Sequence, residues 1–278
     1  METVALNIGQ RIDSSYAELS RQEQRAADFI LDHLGDLAVY NATELAQHSG
    51  VSKATVSRLF RRLGFSNSQE VREHARTLRS EGVPIGAGPT ALSAHLEQEK
   101  ANHTKMLAGL ENGRLESAVA AIADAREVVV IGLRNSYPIA LHLRQQLAQA
   151  RDRVQLAPQP GQSLGEDVVA LGPRDVAIVV GFRRRPASFE QVVHALGDRG
   201  VPIVLLADGQ ARRFTEHVST WLECPVDSVS AFDSYSAAMS LVNLLAAGVL
   251  GANTRESRAR IAGITSLYAE LSEVEERS

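Results

Sequence analysis

Two arginine-bearing loops are the parts of this sequence whose residue types could bind a charged small molecule. One reads GLRNSYP from Gly132, and the other reads GFRRRP from Gly181. Guanidinium forks, a serine hydroxyl and the free amides at a helix start all suit phosphate or carboxylate groups. The candidate ligand-binding residues are Gly132, Arg134, Asn135, Ser136, Gly181, Arg183, Arg184 and Arg185.

Each loop also has a simpler explanation. GLRNS alone is compatible with a plain strand-to-helix turn. The three adjacent arginines are compatible with a solvated surface loop, or with contact to an acidic patch on another subunit. Because both loops follow apolar strands that would end at one edge of a sheet, an anion held between them explains both at once.

The elements that must position these loops are short, continuous apolar runs rich in β-branched residues. EVVVIG, DVAIVVG and VPIVLLAD are the strongest, and RVQLA at 153–157 and TWLEC at 220–224 are weaker. Such runs are typical of strands buried on both faces, so residues 113–250 predict an α/β doubly wound domain with a five-stranded parallel sheet. In such a sheet, ligands bind off the carboxyl ends of the strands, near a switch in strand order. Helices predicted at 232–250 and 255–276 would complete the domain or mediate pairing of chains.

A second candidate site is a basic helix near the amino end. In TELAQHSGVSKATVSRLFRRL, residues 43–63, the spacing of Ala46, Gly50 and Val56 is that of a helix-turn-helix. Ser52 is expected to cap the second helix. The predicted inward face is Val56, Leu59, Phe60 and Leu63, which leaves the candidate DNA-binding residues Ser52, Lys53, Ala54, Thr55, Ser57, Arg58, Arg61 and Arg62 outside.

These outward residues have the chemistry of a major-groove contact. The expected partners are guanine acceptors for Lys53 and Arg58, a thymine methyl for Ala54 or Thr55, and phosphates for Ser57, Arg61 and Arg62. Residues 51–79 carry seven Lys and Arg against two Glu, whereas residues 20–50 carry two Arg against five acids. We therefore expect a double-stranded DNA operator as partner; the alternative is an ordinary helical hairpin with a solvated charged face.

Composition excludes several other classes of protein. The formal net charge is -4, so the chain is not basic throughout. Cys224 is the one cysteine, which excludes an intrachain disulfide and a cysteine-rich zinc site. No run of eighteen apolar residues and no secretory signal pattern occurs, which favours a cytoplasmic protein without a membrane partner. No metal-binding, phosphate-loop or nucleophile motif is found, so we expect no metal, no cofactor and no catalytic residues.

The first eighty residues resemble a known family. LSRQEQRAADFIL, in which Ser20 and Glu23 predict a capping box, followed by ELAQHSGVSKATVSRLFRRLGF, is similar to the N-terminal domain of RpiR-type bacterial transcription regulators. The match includes Gly64-Phe65 after the second helix of the hairpin. It implies an all-α helix-turn-helix domain that binds DNA.

The C-terminal part resembles the sugar isomerase (SIS) domain that RpiR-type regulators carry. Gly132 and Ser136 match its first loop motif, although Arg134 stands where a second glycine is usual. In the second loop, Gly181, Arg183, Arg184 and Pro186 replace a Ser/Thr-rich sequence. The resemblance implies a sugar phosphate effector, and the arginines would equally suit a sugar acid, a dicarboxylate or a more highly phosphorylated molecule.

Together these features predict a DNA-binding regulator that senses a small anion. We expect a helix-turn-helix domain at 1–79, a linker rich in Gly and Pro at 80–93, and a SIS-like domain at 94–278 that forms a homodimer or homotetramer. The alternative is a SIS-type aldose-ketose isomerase with a fused helical domain. That chemistry needs a general base, for which Glu166, His194 and His217 are available.

Overall fold

A computed structural model describes residues 8–34, 37, 40–80 and 92–274 of the chain. Residues 1–98 and 227–234 form one compact unit, and residues 99–226 and 235–278 form the other. Residues 81–91 of the predicted linker lie outside the described residues.

Among the described residues before the predicted linker, five α-helices pack around one apolar core. They are α1 (Ile8–Ser15), α2 (Arg21–Asp32), α3 (Ala42–Ser49), α4 (Lys53–Arg62) and α5 (Ser68–Ser80). Helix α2 begins at the predicted capping box, in which the Glu23 amide donates to Ser20 Oγ and the Ser20 amide donates to the Glu23 carboxylate. Asn41 and Glu44 form a second capping box at the start of α3.

Helix α1 leaves little trace in the sequence. Residues 1–14 show no strong hydrophobic period, yet residues 8–15 form α1, which buries Ile8 and Ile12 in the core of the first unit. Residues 1–7 lie outside the described residues. An eight-residue helix spans little more than two turns, so two apolar residues four apart are all the pattern it can display.

The second unit is the predicted parallel sheet covered by helices. Its strands are β1 (Val128–Gly132), β2 (Val154–Ala157), β3 (Val176–Gly181), β4 (Ile203–Ala207) and β5 (Thr220–Glu223). They pair in the order β2-β1-β3-β4-β5, and all four pairings are parallel. The helices are α6 (Leu92–Leu110), which begins in the first unit, then α7 (Arg114–Asp124), α8 (Tyr137–Ala150), α9 (Leu164–Val168), α10 (Phe189–Gly197), α11 (Ser236–Ala252) and α12 (Thr254–Glu270).

Helices cover both faces of this sheet. Apolar residues of α7, α8 and α11 pack on one face, and α10 with the 3₁₀ helix Gly209–His217 packs on the other. Every residue of β1, β3 and β4 is buried. This double burial is the physical reason why these strands are unbroken apolar runs in the sequence rather than alternating ones.

The two C-terminal helices have different surroundings. Helix α11 buries apolar residues along its length, whereas α12 buries only Ser257. Among the described residues, no single helix is long and apolar enough to cross a membrane. The pair α11 and α12, bent by 108°, meets that criterion jointly by length and composition alone.

A candidate DNA-binding helix and a candidate anion site

The turn between α3 and α4 is made by Gly50. This residue has φ of +66°, in the left-handed region that glycine adopts without steric cost. The Val51 amide then donates to the Ala46 carbonyl oxygen at 3.0 Å and closes the end of α3. The predicted turn at Gly50 between the two helices is therefore confirmed.

Helix α4 begins at the cap that the sequence predicts. Ser52 Oγ accepts a hydrogen bond from the Thr55 amide at 3.1 Å. The expected inward residues Val56, Leu59 and Phe60 are at most 1% exposed. Their burial against the rest of the first unit fixes how α4 is rotated about its axis, and so determines which side chains face out.

Most of the candidate DNA-binding residues lie on the outward face. Ser52, Lys53, Ala54, Arg58, Arg61 and Arg62 are exposed, and Ser57 is partly exposed. Thr55 is the exception: its expected outward position is wrong, since it is only 4% exposed. Its Oγ1 lies 2.9 Å from Ser52 Oγ, so the side chain packs beneath the cap and is not presented to a groove.

Arg62 has contacts within its own unit. Its Nη1 donates to the Glu18 carbonyl oxygen at 2.7 Å, and its Nε lies 3.9 Å from Glu23 Oε1. Burial raises the pKa of Glu23, but hydrogen bonds from Ser20 and the charge of Arg62 outweigh this and hold the pKa below its ordinary value. Arg62 therefore makes contacts that stabilise its own unit. Its expected contact with a DNA phosphate stays a prediction.

The two arginine-bearing loops meet at one edge of the sheet. They follow β1 and β3, which are neighbours, and β2 lies on the other side of β1. Strand order therefore reverses between β1 and β3, which is the position at which ligands bind beyond the carboxyl ends of the strands in open parallel sheets. The structure brings both loops to this switch point, as the sequence predicts.

Gly132 and Gly181 let the chain pass close to other atoms at this edge. A Cβ on Gly132 would lie 2.5 Å from Ala140 Cβ, and a Cβ on Gly181 would collide with the Phe189 ring. These glycines therefore shape the site by close approach of the backbone, and neither can carry a side chain without moving the following helix.

Direct hydrogen bonds tie the two loops together. Ser136 is 5% exposed, and its Oγ accepts from the Phe182 amide at 3.1 Å, which leaves the hydroxyl hydrogen to donate elsewhere. Arg134 Nη1 lies 3.3 Å from the Arg184 carbonyl oxygen. Ser136, Asn135, Arg183 and Arg184 line one small cleft between the loops.

Arg134 and Arg184 both have left-handed backbone conformations. Their φ values are +54° and +61°. Residues other than glycine rarely adopt this conformation, and those that do are often concentrated at functional sites. The left-handed φ at Arg134 agrees with the glycine that is usual at this position of the SIS motif.

Arg185 lines the same cleft, and its guanidinium is also held by other groups of the protein. Its Nη2 donates to Asp208 Oδ2 at 2.7 Å and its Nε donates to the Gly181 carbonyl oxygen at 2.9 Å. The side chains of Arg185 and Asp208 are only 9% and 3% exposed. Burial lowers the pKa of the Arg185 guanidinium and the charge of Asp208 opposes that shift. Arg185 therefore anchors the second loop, and its assignment as a ligand contact stays a prediction.

Two of the three residues available as catalytic bases lie away from the loops. The rings of His194 and His217 are tilted by 49° with centroids 4.4 Å apart, and they line a cavity with Pro202 and Ser219, which precede β4 and β5. That cavity is therefore at the opposite edge of the sheet. Glu166 accepts a hydrogen bond from Ser163 at 3.1 Å. No group of three His, Cys, Asp or Glu among the described residues could hold a metal ion.

The one cysteine, Cys224, has a packing role. Cys224 is buried in the core of the second unit. Burial raises the pKa of its thiol to about 12, so it is not a reactive nucleophile.

Comparison with known proteins assigns both parts of the chain. Residues 6–77 match the helix-turn-helix domain of the rpiR family, and residues 121–248 match the SIS domain. The chain is 24% identical to the HTH-type transcriptional regulator HexR of Pseudomonas aeruginosa over 261 residues, which cover 87% of this chain and 89% of HexR.

Solved structures share the fold. The sugar isomerase domain of an RpiR transcription factor from Sphaerobacter thermophilus matches with a TM-score of 0.58 and 23% identity, over 62% of this chain and 96% of that one. NanR of Vibrio vulnificus, solved in complex with ManNAc-6P, matches with a TM-score of 0.58 and 18% identity, over 95% of this chain and 99% of that one.

A helix-turn-helix domain followed by a SIS domain defines the class of this chain as a DNA-binding transcription regulator. Within that class, it is a regulator of the RpiR type.

Proposed function

We propose that the SIS domain of this regulator senses a small anionic metabolite and thereby changes the affinity of paired helix-turn-helix domains for their operator. The helix-turn-helix domain spans residues 1–79, the linker residues 80–93 and the SIS domain residues 94–278. The protein works as a homodimer or homotetramer in the bacterial cytoplasm, where its double-stranded DNA partner is found.

The exposed face of α4 supports direct contact with DNA. Lys53 and Arg58 have the reach and charge to read guanine acceptors, and Ala54 between them is small enough for the backbone to approach the bases. Ser52, Ser57 and Arg61 provide donors for phosphate oxygens. Because Thr55 is buried, the residues that we propose to contact bases are Lys53, Ala54 and Arg58.

The cleft between the β1 and β3 loops is the site that we propose for the effector. The buried Ser136 hydroxyl lines this cleft with Arg183, Arg184 and Arg185 at the switch point of the sheet. Arg134 Nη1 lies beside it, 3.3 Å from the Arg184 carbonyl oxygen. Charge-assisted hydrogen bonds from arginine favour planar or tetrahedral oxyanions. A small molecule with a phosphate or carboxylate group fits this chemistry.

A sugar phosphate is the first ligand class to test. NanR, which shares the fold, was solved with ManNAc-6P. The present second loop has arginines in place of the hydroxyl-rich sequence typical of SIS domains, so sugar acids and dicarboxylates belong in the same screen.

An effector in this cleft can control DNA binding through the assembly. Two recognition helices must lie about 34 Å apart to enter successive major grooves. A small rotation of one SIS domain against its copy would change that spacing and break register with the operator. We therefore expect effector binding to change operator affinity without altering the fold of either domain.

A thermal-shift screen against sugar phosphates, sugar acids and dicarboxylates tests this proposal. A ligand that binds only the folded state at about 100 times its Kd adds about 2.7 kcal/mol of stability. The matched control is the double variant Arg134→Ala/Arg184→Ala, because both residues are exposed and their loss should leave the fold intact. We expect a shift for the wild type and none for the variant; equal shifts in both would place the effector elsewhere.

The same ligands should be tested for turnover. Because His194 and His217 lie at the opposite edge of the sheet and Glu166 lies in no recognised catalytic motif, we expect binding without isomerisation. If the purified protein forms an isomerised product, the hypothesis that the SIS domain only senses its ligand is contradicted, and the isomerase alternative is favoured.

A further inference from the structure

A second cleft with a basic lining lies at the amino edge of the sheet. It has a volume of about 410 Å³ and lies where α7 and α8 end, where β1 and β2 begin and where α12 starts. Its charged lining residues are Arg126, Arg151, Arg153 and Arg260, with Asp152 and Glu256. The loops of the effector cleft follow β1 and β3 at the carboxyl edge, so this amino-edge cleft is a separate feature.

Two of the four arginines have a carboxylate partner. Arg126 Nε and Nη2 donate to the two carboxylate oxygens of Asp175 at 2.8 and 2.7 Å, and Asp175 is only 1% exposed. Arg153 Nε lies 4.0 Å from Asp152 Oδ2. The contact with Asp175 uses one edge of the Arg126 guanidinium. Its Nη1 and the second hydrogen on Nη2 therefore have no acceptor in the part of the chain that the structure describes.

The other two arginines have no carboxylate within 4.0 Å among the described residues. Arg151 donates to carbonyl oxygens at the end of α7, and Arg260 Nε donates to the Ala148 carbonyl oxygen at 2.6 Å. The four hydrogens on the Nη atoms of Arg260 have no described acceptor. Burial lowers the pKa of the Arg151 guanidinium, and the charge of Asp152 opposes this shift. A partly buried cation without a counter-ion is costly, so a bound anion would stabilise this cleft.

The helix ends at this cleft leave its potential positive. Helices α7 and α8 end here, and a helix carboxyl end carries partial negative charge. Several of their last carbonyl oxygens are already occupied, since Arg151 binds those of α7 while Ser257 Oγ and Arg260 bind those near the end of α8. Helix α12 begins here, and its cap residue Asn253 makes no side-chain hydrogen bond to the first turn. The amides of that turn add to the positive charge of the arginines.

We propose that the amino-edge cleft binds a diphosphate group, either free or as part of a nucleotide, between the guanidinium groups of Arg126, Arg151 and Arg260. Planar guanidinium forks match phosphate oxygens, and three of them from separate segments suit a ligand with more than one phosphate. The volume of the cleft is within the range of small-molecule sites. The site shares no residue with the effector cleft or with α4, so it stands independently of the proposed function.

Isothermal titration of the full-length protein with sodium pyrophosphate tests this site. The background for all titrations is the Arg134→Ala/Arg184→Ala variant, so that the effector cleft does not contribute. We expect this background to bind pyrophosphate. Sodium sulfate at the same ionic strength should bind roughly 10- to 150-fold more weakly, because it lacks the second phosphate and its charge-assisted hydrogen bonds. Equal affinity for the two salts, or no binding of pyrophosphate, would overturn the proposal.

Removing one arginine then locates the ligand. Arg260→Gln should raise the Kd for pyrophosphate roughly 10- to 150-fold, since a charged donor is lost, while the glutamine amide can still donate to the Ala148 carbonyl oxygen. Arg258→Gln is the matched control, because it removes the same charge from an exposed position of α12 outside the cleft. Circular dichroism should show unchanged helix content in both variants. Equal affinities in the two variants would place the ligand elsewhere and contradict the proposal.

Glu256→Gln tests the same site through a gain of affinity, which a damaged fold cannot imitate. Glu256 is exposed and lines the cleft, so its carboxylate repels a bound anion. Its removal should tighten pyrophosphate binding roughly 5-fold. Unchanged or weaker binding would refute a ligand beside this residue.

ADP distinguishes the two sources of a diphosphate group. ADP should respond to Arg260→Gln and Glu256→Gln in the same directions as pyrophosphate. Tighter binding of ADP than of pyrophosphate would indicate a nucleotide ligand, and equal affinity would indicate that the diphosphate group alone is recognised. ADP affinity that neither substitution changes would contradict binding in this cleft.

Discussion

Replacing Arg134 with glycine separates the two properties of this residue. The backbone has φ of +54°, and the side chain makes one long hydrogen bond, of 3.3 Å, to the Arg184 carbonyl oxygen. A left-handed conformation costs an L-residue about 1–2 kcal/mol. Glycine removes that cost but gives the unfolded chain extra freedom worth about 0.5–1 kcal/mol. Loss of the weak bond costs about 0.5 kcal/mol.

These contributions nearly cancel, so Arg134→Gly should leave the free energy of unfolding within about 1 kcal/mol of the wild type, equivalent to a change in Tm of no more than about 4 °C. Effector affinity should fall much further. A hydrogen bond from a charged donor is worth about 1.5–3 kcal/mol, which corresponds to a roughly 10- to 150-fold increase in Kd.

Arg153→Gly is the matched control for this experiment. Arg153 is also an exposed arginine in the left-handed region, with φ of +50°, but it immediately precedes β2 at the opposite edge of the sheet. Isothermal titration with the effector found by the thermal-shift screen should show weaker binding for Arg134→Gly and unchanged binding for Arg153→Gly. Equal affinities in the two variants would refute a contact between the Arg134 guanidinium and the effector.

Three further predictions follow from individual contacts. Arg58→Ala should weaken operator binding in a gel shift without changing Tm. Thr55→Ala should lower the free energy of unfolding by about 1 kcal/mol, because the buried Thr55 hydroxyl contacts the helix cap. Loss of stability in Arg58→Ala together with loss of DNA binding alone in Thr55→Ala would contradict the placement of both residues. Arg185→Ala should destabilise the protein by about 3–5 kcal/mol in urea unfolding, since it leaves the Asp208 carboxylate buried without its partner; a loss under 1 kcal/mol would refute the anchoring role. Hydrogen bonds from Arg126 hold the pKa of Asp175 below its ordinary value. The contribution of Asp175 to the free energy of unfolding is therefore complete above about pH 4 and is lost as the pH falls through the lower folded-state pKa. Asp175→Asn should reduce this loss of stability in acid, and an unchanged dependence of stability on pH would show that the ion pair does not contribute.

The sequence predicts the sheet well because burial on both faces leaves a local signal. Each of the five strands is a short apolar run, and helix starts such as Ser20 and Ser52 are marked by caps whose partners lie three residues away. Signals of this kind depend on neighbours in the chain. The position of the two loops at one sheet edge then follows from parallel strand direction alone.

Features that depend on distant partners could not be read in this way. Arg185 and Asp208 are 23 residues apart, and nothing near either residue indicates that they form a buried ion pair. Thr55 is polar and adjacent to the inward-facing Val56, so a helical period does not distinguish a residue at the edge of the buried face from one just outside it. The left-handed backbone of Arg184 is likewise set by packing between the two loops, with no glycine to mark it.

The central claim is that an anion in the cleft between the β1 and β3 loops controls operator binding. Fluorescence anisotropy would measure it most directly, on DNA selected by the full-length protein from a random-sequence pool, with and without the effector. We expect a roughly 5- to 150-fold change in operator Kd for the wild type. The Arg134→Ala/Arg184→Ala variant should bind the same DNA equally well without effector and show no change when effector is added. An identical effector response in wild type and variant would contradict the account.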